Sequence, residues 1–498
     1  MRLHRLAGRL FDCDAPPHLA RFQSALDRLR ALGTETDPLR RSFFAPNVPV
    51  HIARAPGRLD VMGGIADYSG ATVLQLPLDC ATVTTLQRQH APRCDLLTYR
   101  AGEWAFFTID VNSLISGELN DPLVLARWFA DRGADHWASY VVGTIQRCLH
   151  HAKIGQGSAQ PGLRMLIESN VPEGKGVSSS AALEVATEFA AVASYGFTLT
   201  PEQIAVDCQW VENHVVGAPC GIMDQMTSAC GRSDRLMRLT CQPGTIEGHI
   251  EIPAGFKFFG IDSGLRHAVT GADYGTVRTG AFMGYRIIAA AAGLREEFGV
   301  PLRLKDPKWG GYLANMSVNE FATRFERVLP VEMDGSEFLD RYHGITDTAT
   351  RVDPARRYPV RQATRHPVFE QRRVEEFAEL LAQVAREPQA AIEMGHMMKA
   401  SHESYSACGL GSDGTDRLVE LVAMAGPERG LFGAKITGGG SGGTVAVFGR
   451  DDAEPIVREI ANRYAAETGR AAQVFAKSGP GADESGVLCV DPHVDSPA

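Results

Sequence analysis

Leu163-Arg-Met-Leu-Ile167, then Pro172-Glu-Gly-Lys-Gly-Val-Ser-Ser-Ser180, then Ala182, Val185, Ala186, Phe189, Val192 and Ala193 closed by Gly196, is the stretch that decides the fold. The first run alternates as a strand does, and the last recurs at helical spacing, so the segment reads as strand, glycine–serine loop, helix. Such a loop lays backbone N–H groups against a phosphate, with the positive end of the helix dipole behind them and hydroxyls at hand for phosphate or a cation. The plain alternative is a serine N-cap after a flexible turn. A Walker A loop (G-x-x-x-x-G-K-[ST]) is absent, as are the H-R-D and D-F-G signatures of protein kinases.

Three further segments carry chemistry. Lys435-Ile-Thr-Gly-Gly-Gly-Ser-Gly-Gly-Thr444 formally contains the nucleophile elbow G-x-S-x-G around Ser441. An elbow runs from strand into helix, whereas this one runs into the strand-like Thr444-Val-Ala-Val-Phe448, so the hydrolase reading is set aside. A plain hairpin or a backbone strap around a phosphate remains. Arg54-Ala-Pro-Gly-Arg58-Leu-Asp-Val-Met-Gly63-Gly64-Ile65-Ala-Asp67-Tyr68 places an arginine and an acid around glycine turns. In the fourth, Thr200 and Gln203 form a capping box with Pro201 at the first helical position. Ile204, Cys208, Val211 and Val215 make a buried stripe with Glu212 at its edge, Gly217 ends it, and Gly221-Ile-Met-Asp224-Gln225 follows. Taken alone, Glu212 reads as a satisfied boundary residue and Asp224 as a cap.

The chain has 498 residues, 44% hydrophobic and 22% charged, with 50 Lys+Arg against 59 Asp+Glu and a formal charge of −9. That excludes a disordered chain and a disulfide-stapled miniprotein, and argues against nucleic acid as a partner. The ten cysteines show no C-x-x-C pair or zinc spacing and read as thiols in a reducing compartment. No apolar run of spanning length occurs, so a soluble, cytoplasmic protein is expected, with no membrane partner. Residues 1–47, with a helical pattern of Leu19, Phe22, Leu26, Leu29 and Leu32, read as an N-terminal extension. Mixed strand and helix text then runs through 48–250 and again through 251–498, predicting two α+β lobes, with an irregular insertion or mobile connection over about 300–365. The oligomeric state and the adenine contacts are not legible.

The four segments occur together in one order, and in that order the chain resembles the GHMP small-molecule kinases, specifically their galactokinase branch. The family's A-P-G-R…D-Y-x-G matches Ala55–Arg58 and Asp67–Gly70, and its P-x-x-x-G-L-S-S-S-A matches Pro172–Ala181 with Val177 for Leu. Its P-C-G-I-M-D-Q stands unbroken at 219–225 and its T-G-G-G-x-G-G at 437–443. Trp137-Ala-Ser-Tyr-Val and Cys408…Asp416-Arg-Leu-Val resemble further galactokinase segments. The stretches ARAPGRLDVMGGIADYSG and YPVRQATRHPV are closer to the kinase region of L-arabinokinases.

The resemblance implies a two-lobed α+β GHMP kinase fold, with a ribosomal S5-like N-terminal lobe, a ferredoxin-like C-terminal lobe and the active site between them. It makes Asp224 the carboxylate facing a sugar's anomeric hydroxyl and Arg58 its charged neighbour. Ser179 and Glu212 match the Mg²⁺-associated serine and glutamate. Gly174, Lys175, Gly176, Val177, Ser178, Ser179 and Ser180 would wrap the ATP phosphates, with Gly438, Gly439 and Gly440 approaching from the other lobe. Asp67, the Gly221 backbone and Tyr274 match sugar-contacting positions. Galactokinases carry Glu-His where this chain has Gly64 and Ile65, beside the 6-hydroxymethyl of galactose. L-Arabinopyranose lacks that group, so the expected reaction is ATP-dependent formation of L-arabinose 1-phosphate, with Ile65 filling the gap. The alternatives are a galactokinase, another sugar or uronic acid 1-kinase, or a non-catalytic sugar and ATP sensor.

Overall fold

The computed structural model describes residues 3–5, 20–100, 102–152, 162–265, 272–297, 299 and 301–491. Its first lobe is built on a nine-stranded sheet in the order Leu3–Arg5, Val487–Val490, Val50–Met62, Thr72–Gln89, Gly162–Ser169, Arg93–Arg100, Glu103–Asp110. The hairpin Arg235–Thr240 and Thr245–Glu251 pairs onto the Thr72 end of the long second strand. Pairing is antiparallel except between Arg93–Arg100 and Gly162–Ser169. Val50–Met62 is buried along nearly its whole length, because helices cover one face and the second lobe meets its far end. Helices Ala138–His151, Ser179–Tyr195, Pro201–Val211 and Met223–Cys230 supply the covering layer, meeting the sheet through Val141, Ile145, Val185, Val211 and Met226.

The second lobe carries an antiparallel four-stranded sheet in the order Leu431–Ile436, Thr444–Arg450, Phe256–Asp262, Val474–Phe475. Helices Asp413–Ala425 and Glu454–Thr468 pack on one face. Helices Val360–Leu381 and Pro388–Ala407 pack on the other through Phe377 and Met394, against Phe258, Phe448 and also Leu59 and Leu76 of the first sheet. One apolar cluster therefore runs through both lobes, which fixes the two glycine loops relative to each other.

Three features differ from the sequence expectation. The carboxy-terminal strand Val487–Val490 pairs with Val50–Ala53, so the end of the 251–498 segment crosses back into the first sheet. Within 1–47, the helix Gln23–Leu32 packs Ala25 and Leu26, together with the preceding Phe22, against Ile52 and Leu488; Leu19 and Cys13 lie outside the described residues. The 300–365 stretch buries Trp309, Leu313, Phe321, Phe325, Leu329 and Phe338 against the helices Ala272–Ala291 and Val360–Leu381. Its apolar residues are spaced by short turns rather than by one period, which is why they formed no readable pattern. Among the described residues, no helix is long and apolar enough to cross a membrane.

Candidate active site

The strand Gly162–Ser169 leads through the glycine loop into helix Ser179–Tyr195, as its pattern dictates. Gly174 and Gly176 adopt φ of +69° and +70°, and a side chain on Gly174 would meet open space, so the loop crest is uncovered. Ser178 is left-handed (φ 60°), a strained conformation for serine, and makes no capping hydrogen bond. Its buried hydroxyl has no partner among the described residues. The N-cap reading therefore fails for this serine, whose buried hydroxyl stands unpartnered at the start of the helix.

Arg58 lies beneath the loop. Its Nε donates to Asp224 Oδ1 at 2.8 Å, its Nη2 lies 2.7 Å from the same oxygen in an ion pair, and its Nη1 donates to the Gly176 carbonyl at 2.6 Å. The Arg58 side chain is 2% exposed and that of Asp224 21%. Both Arg58 contacts go to Oδ1 of Asp224, and no hydrogen bond to its Oδ2 is made among the described residues. The strap from the other lobe closes on the same point: Gly438 lies so close to the Gly176 carbonyl and Arg58 Nη2 that a Cβ would stand 2.8 and 3.3 Å from them. Thr444 Oγ1 donates to the Lys175 carbonyl at 2.8 Å, and Lys175 Nζ pairs with Asp262 at 3.0 Å. Ser441 sits in a strand–loop–strand turn, so no nucleophile elbow exists.

Asp67 and Gly221 meet beside this pair. A Cβ on Gly221 would overlap the Asp67 carboxylate, so only glycine permits the approach. Burial, with Asp224 nearby, pushes the Asp67 carboxyl up to about 7 against the pull of Arg278, the Tyr68 N–H and Arg58. Tyr274 packs edge-on against Tyr68 at 5.7 Å and senses the Asp67 charge. Arg278 donates twice to Asp347, both at 2.8 Å, and once to the Cys220 carbonyl at 2.9 Å. The 300–365 stretch thereby holds the loop that carries Gly221.

Helix Pro201–Val211 starts on the Thr200–Gln203 capping box and passes into a wide π-type turn, Glu212–Val216, ended by left-handed Gly217. That turn delivers Glu212 into the interior, where it accepts from Gln225 Nε2 at 2.7 Å. Burial raises its carboxyl to about 7 while the neighbouring Ser180 hydroxyl draws it down. Glu184, one turn along the serine helix, is buried beside it and pushed well up by burial and by Glu212.

Comparison with known proteins follows the same division of the chain. The GHMP kinases N terminal domain matches residues 139–232, and the GHMP kinases C terminal domain matches residues 377–466. The chain belongs to the GHMP kinase family. It is 41% identical over 487 residues to L-arabinokinase of Arabidopsis thaliana, a match covering 88% of this chain and 46% of that protein, so the chain spans about half its length. Galactokinase of Chloroflexus aurantiacus is 29% identical over 431 residues, covering 85% of this chain and 90% of that one. The solved Lactococcus lactis galactokinase complexed with galactose shares the fold, with a TM-score of 0.67, 19% identity, and coverage of 92% of this chain and 98% of that one.

In this GHMP kinase the structure brings Arg58, Asp224, Asp67, Gly221, the 174–180 loop and the 438–440 strap to one place. Gly64 and Ile65 are the exception. Both are fully buried, Ile65 packs among Tyr68, Val277 and Tyr285, and the space beside Gly64 is taken by Tyr405. Ile65 therefore lines no open pocket, because the turn Gly64–Ser69 points its side chain into the helical layer of the second lobe. Sequence reasoning missed Asp60, Lys435, Tyr405, Arg278 and Asp347. Asp60 and Lys435 form a fully buried ion pair at 2.6 Å, and Asp60 also accepts from the Gly64 N–H at 2.9 Å. Asp60 stands two residues beyond Arg58 on a buried strand, a position where a charge demands a partner, and that was its one available signal.

Proposed function

We propose that this GHMP kinase is an ATP-dependent sugar 1-kinase, transferring the γ-phosphoryl group of ATP to the anomeric hydroxyl of L-arabinose to give L-arabinose 1-phosphate and ADP. The observation that carries the reading is the Arg58–Asp224 pair, seated where the glycine loop and the opposite strap meet. ATP is a substrate, held through its phosphates by residues 174–180 and by Gly438, Gly439 and Gly440. The Asp224 Oδ2 orients the sugar's O1 and takes its proton as O1 bonds to the γ-phosphorus and the bond to the β-phosphate oxygen breaks. Arg58 holds Asp224 in place and lends positive charge near the transferring group. Asp67, Tyr274 and the Gly221 backbone hold the ring hydroxyls.

A Mg²⁺ ion would neutralise charge on the phosphates, and Ser179 with Glu212 would hold it. The serine hydroxyl that meets Glu212 in this structure is that of Ser180 rather than Ser179, and a hydroxyl with a carboxylate suits a cation that arrives on a nucleotide and keeps phosphate and water in its shell. Among the described residues no group of three His, Cys, Asp or Glu side chains forms a closed metal cage. The nine described cysteines are free thiols, which suits a reducing, cytoplasmic setting.

L-Arabinose is favoured over galactose by the greater identity to an L-arabinokinase. A galactokinase activity is the second reading, supported by the 29% match that spans 90% of its relative. ADP release measured across pentoses, hexoses and uronic acids tests both. The expected result is the highest kcat/KM on L-arabinose. A preference for galactose overturns the substrate assignment, and no ADP release on any sugar overturns the kinase reading in favour of a binding role.

A further inference from the structure

Tyr405, on helix Pro388–Ala407, touches both the Gly64–Ser69 turn and the strap at Gly438. Its ring is fully buried on helix Pro388–Ala407. Its hydroxyl accepts from the Ile65 N–H at 2.9 Å and donates to the Gly438 carbonyl at 3.1 Å, so a single oxygen joins the Gly64–Ser69 turn to the strap. His366 packs edge-on to the ring at 5.1 Å and the Lys435 ammonium lies 5.2 Å from its centre, which leaves the ring no room to swing away. A Cβ on Gly64 would overlap this hydroxyl and stand 2.8 Å from the ring's Cζ, and Gly64 has a φ of +44°.

We infer that Tyr405 is a positioning residue: its hydroxyl occupies the volume a side chain at residue 64 requires and registers the Gly64–Ser69 turn, which carries Asp67, against the strap at Gly438. Gly64 is then the consequence of Tyr405. A side chain at 64 and the hydroxyl of Tyr405 exclude one another in this packing. For its kinetic consequence the inference rests on the sugar 1-kinase reading; the steric pairing does not.

Four proteins test it: the parent, Tyr405→Phe, Gly64→Ala and the double variant, each examined by thermal unfolding and by kcat and KM for L-arabinose, D-galactose and ATP. Tyr405→Phe keeps the ring but strands the Ile65 N–H and the Gly438 carbonyl, so kcat on both sugars should fall by about tenfold to a hundredfold with KM for ATP little changed. Gly64→Ala should lower the melting midpoint more in the parent than in the Tyr405→Phe background, because only the parent holds the overlapping hydroxyl; the left-handed backbone strain is common to both. Equal costs in the two backgrounds overturn the steric pairing. An unchanged kcat in Tyr405→Phe, or failure of that variant to fold, overturns the positioning role, since the hydroxyl would then be idle or merely structural. A parent that phosphorylates no sugar refutes the functional reading while the unfolding cycle still decides the pairing.

Discussion

Replacing Asp224 by asparagine removes one charge and almost no volume, and the structure fixes what should follow. Arg58 is 2% exposed, donates one hydrogen bond to Asp224 Oδ1 and brings its Nη2 to 2.7 Å from the same oxygen, and donates a second hydrogen bond to the Gly176 carbonyl. Breaking a buried ion pair outright costs about 3–5 kcal/mol. Here the asparagine oxygen still accepts and Asp224 is about a fifth exposed to water, so a loss of about 1–3 kcal/mol is expected. The variant should stay folded with a melting midpoint lowered by a few degrees. Turnover should fall far more, by about 10²–10⁴, because the group that takes the O1 proton is gone. The Asp67 carboxyl, no longer facing a like charge, should move down from its value of about 7. A coupled ADP assay over sugar concentration, beside a thermal melt, separates the two effects. Activity within tenfold of the parent in a folded Asp224→Asn protein would refute the assigned role.

Asp67→Asn addresses a different balance. The folded carboxyl sits near 7 against an ordinary 3.8, so its contribution to stability is fully present below about 3.8 and is lost as pH rises toward 7. The variant should abolish that part of the pH dependence, a matter of a few kcal/mol, and melt higher than the parent at pH 8 while raising KM for the sugar; a parent and variant with parallel melting-versus-pH curves would contradict this. Ser179→Ala should weaken Mg²⁺–ATP use more than sugar binding, because the helix-start N–H groups remain, and unchanged nucleotide affinity by calorimetry with an unchanged Mg²⁺ dependence would reduce Ser179 to a helix residue. Arg278→Lys cannot keep both bonds to Asp347 and the one to the Cys220 carbonyl, so KM for the sugar should rise about tenfold or more with KM for ATP unmoved. Equal shifts in both constants would show that the Arg278–Asp347 clamp serves the lobe as a whole.

How much of this was legible before folding divides along the chain's own spacing. The strand–loop–helix at 163–196, the Thr200–Gln203 capping box, the glycine ending at Gly217 and the left-handed glycines of the two loops depend on residues within a few positions of one another. Periodicity and backbone sterics determine such features locally, so a reader of the sequence can find them. The site list was legible for a second reason: its motifs occur in one fixed order, and Arg58, Asp67, Gly221 and Asp224 do converge.

Other features needed the tertiary structure because they pair residues hundreds of positions apart, with no local pattern to announce the partner. Asp60 finds Lys435 across 375 positions, Tyr405 finds Ile65 across 340, and the last strand returns to Val50–Ala53 in the first sheet. Gly64 shows the division most plainly. Its lack of a side chain was visible in the sequence and suggested a gap filled by Ile65, but a glycine reports only that room is absent or a backbone angle is needed. Which atom takes that room is set by the packing of a helix from the other lobe, and it is the hydroxyl of Tyr405.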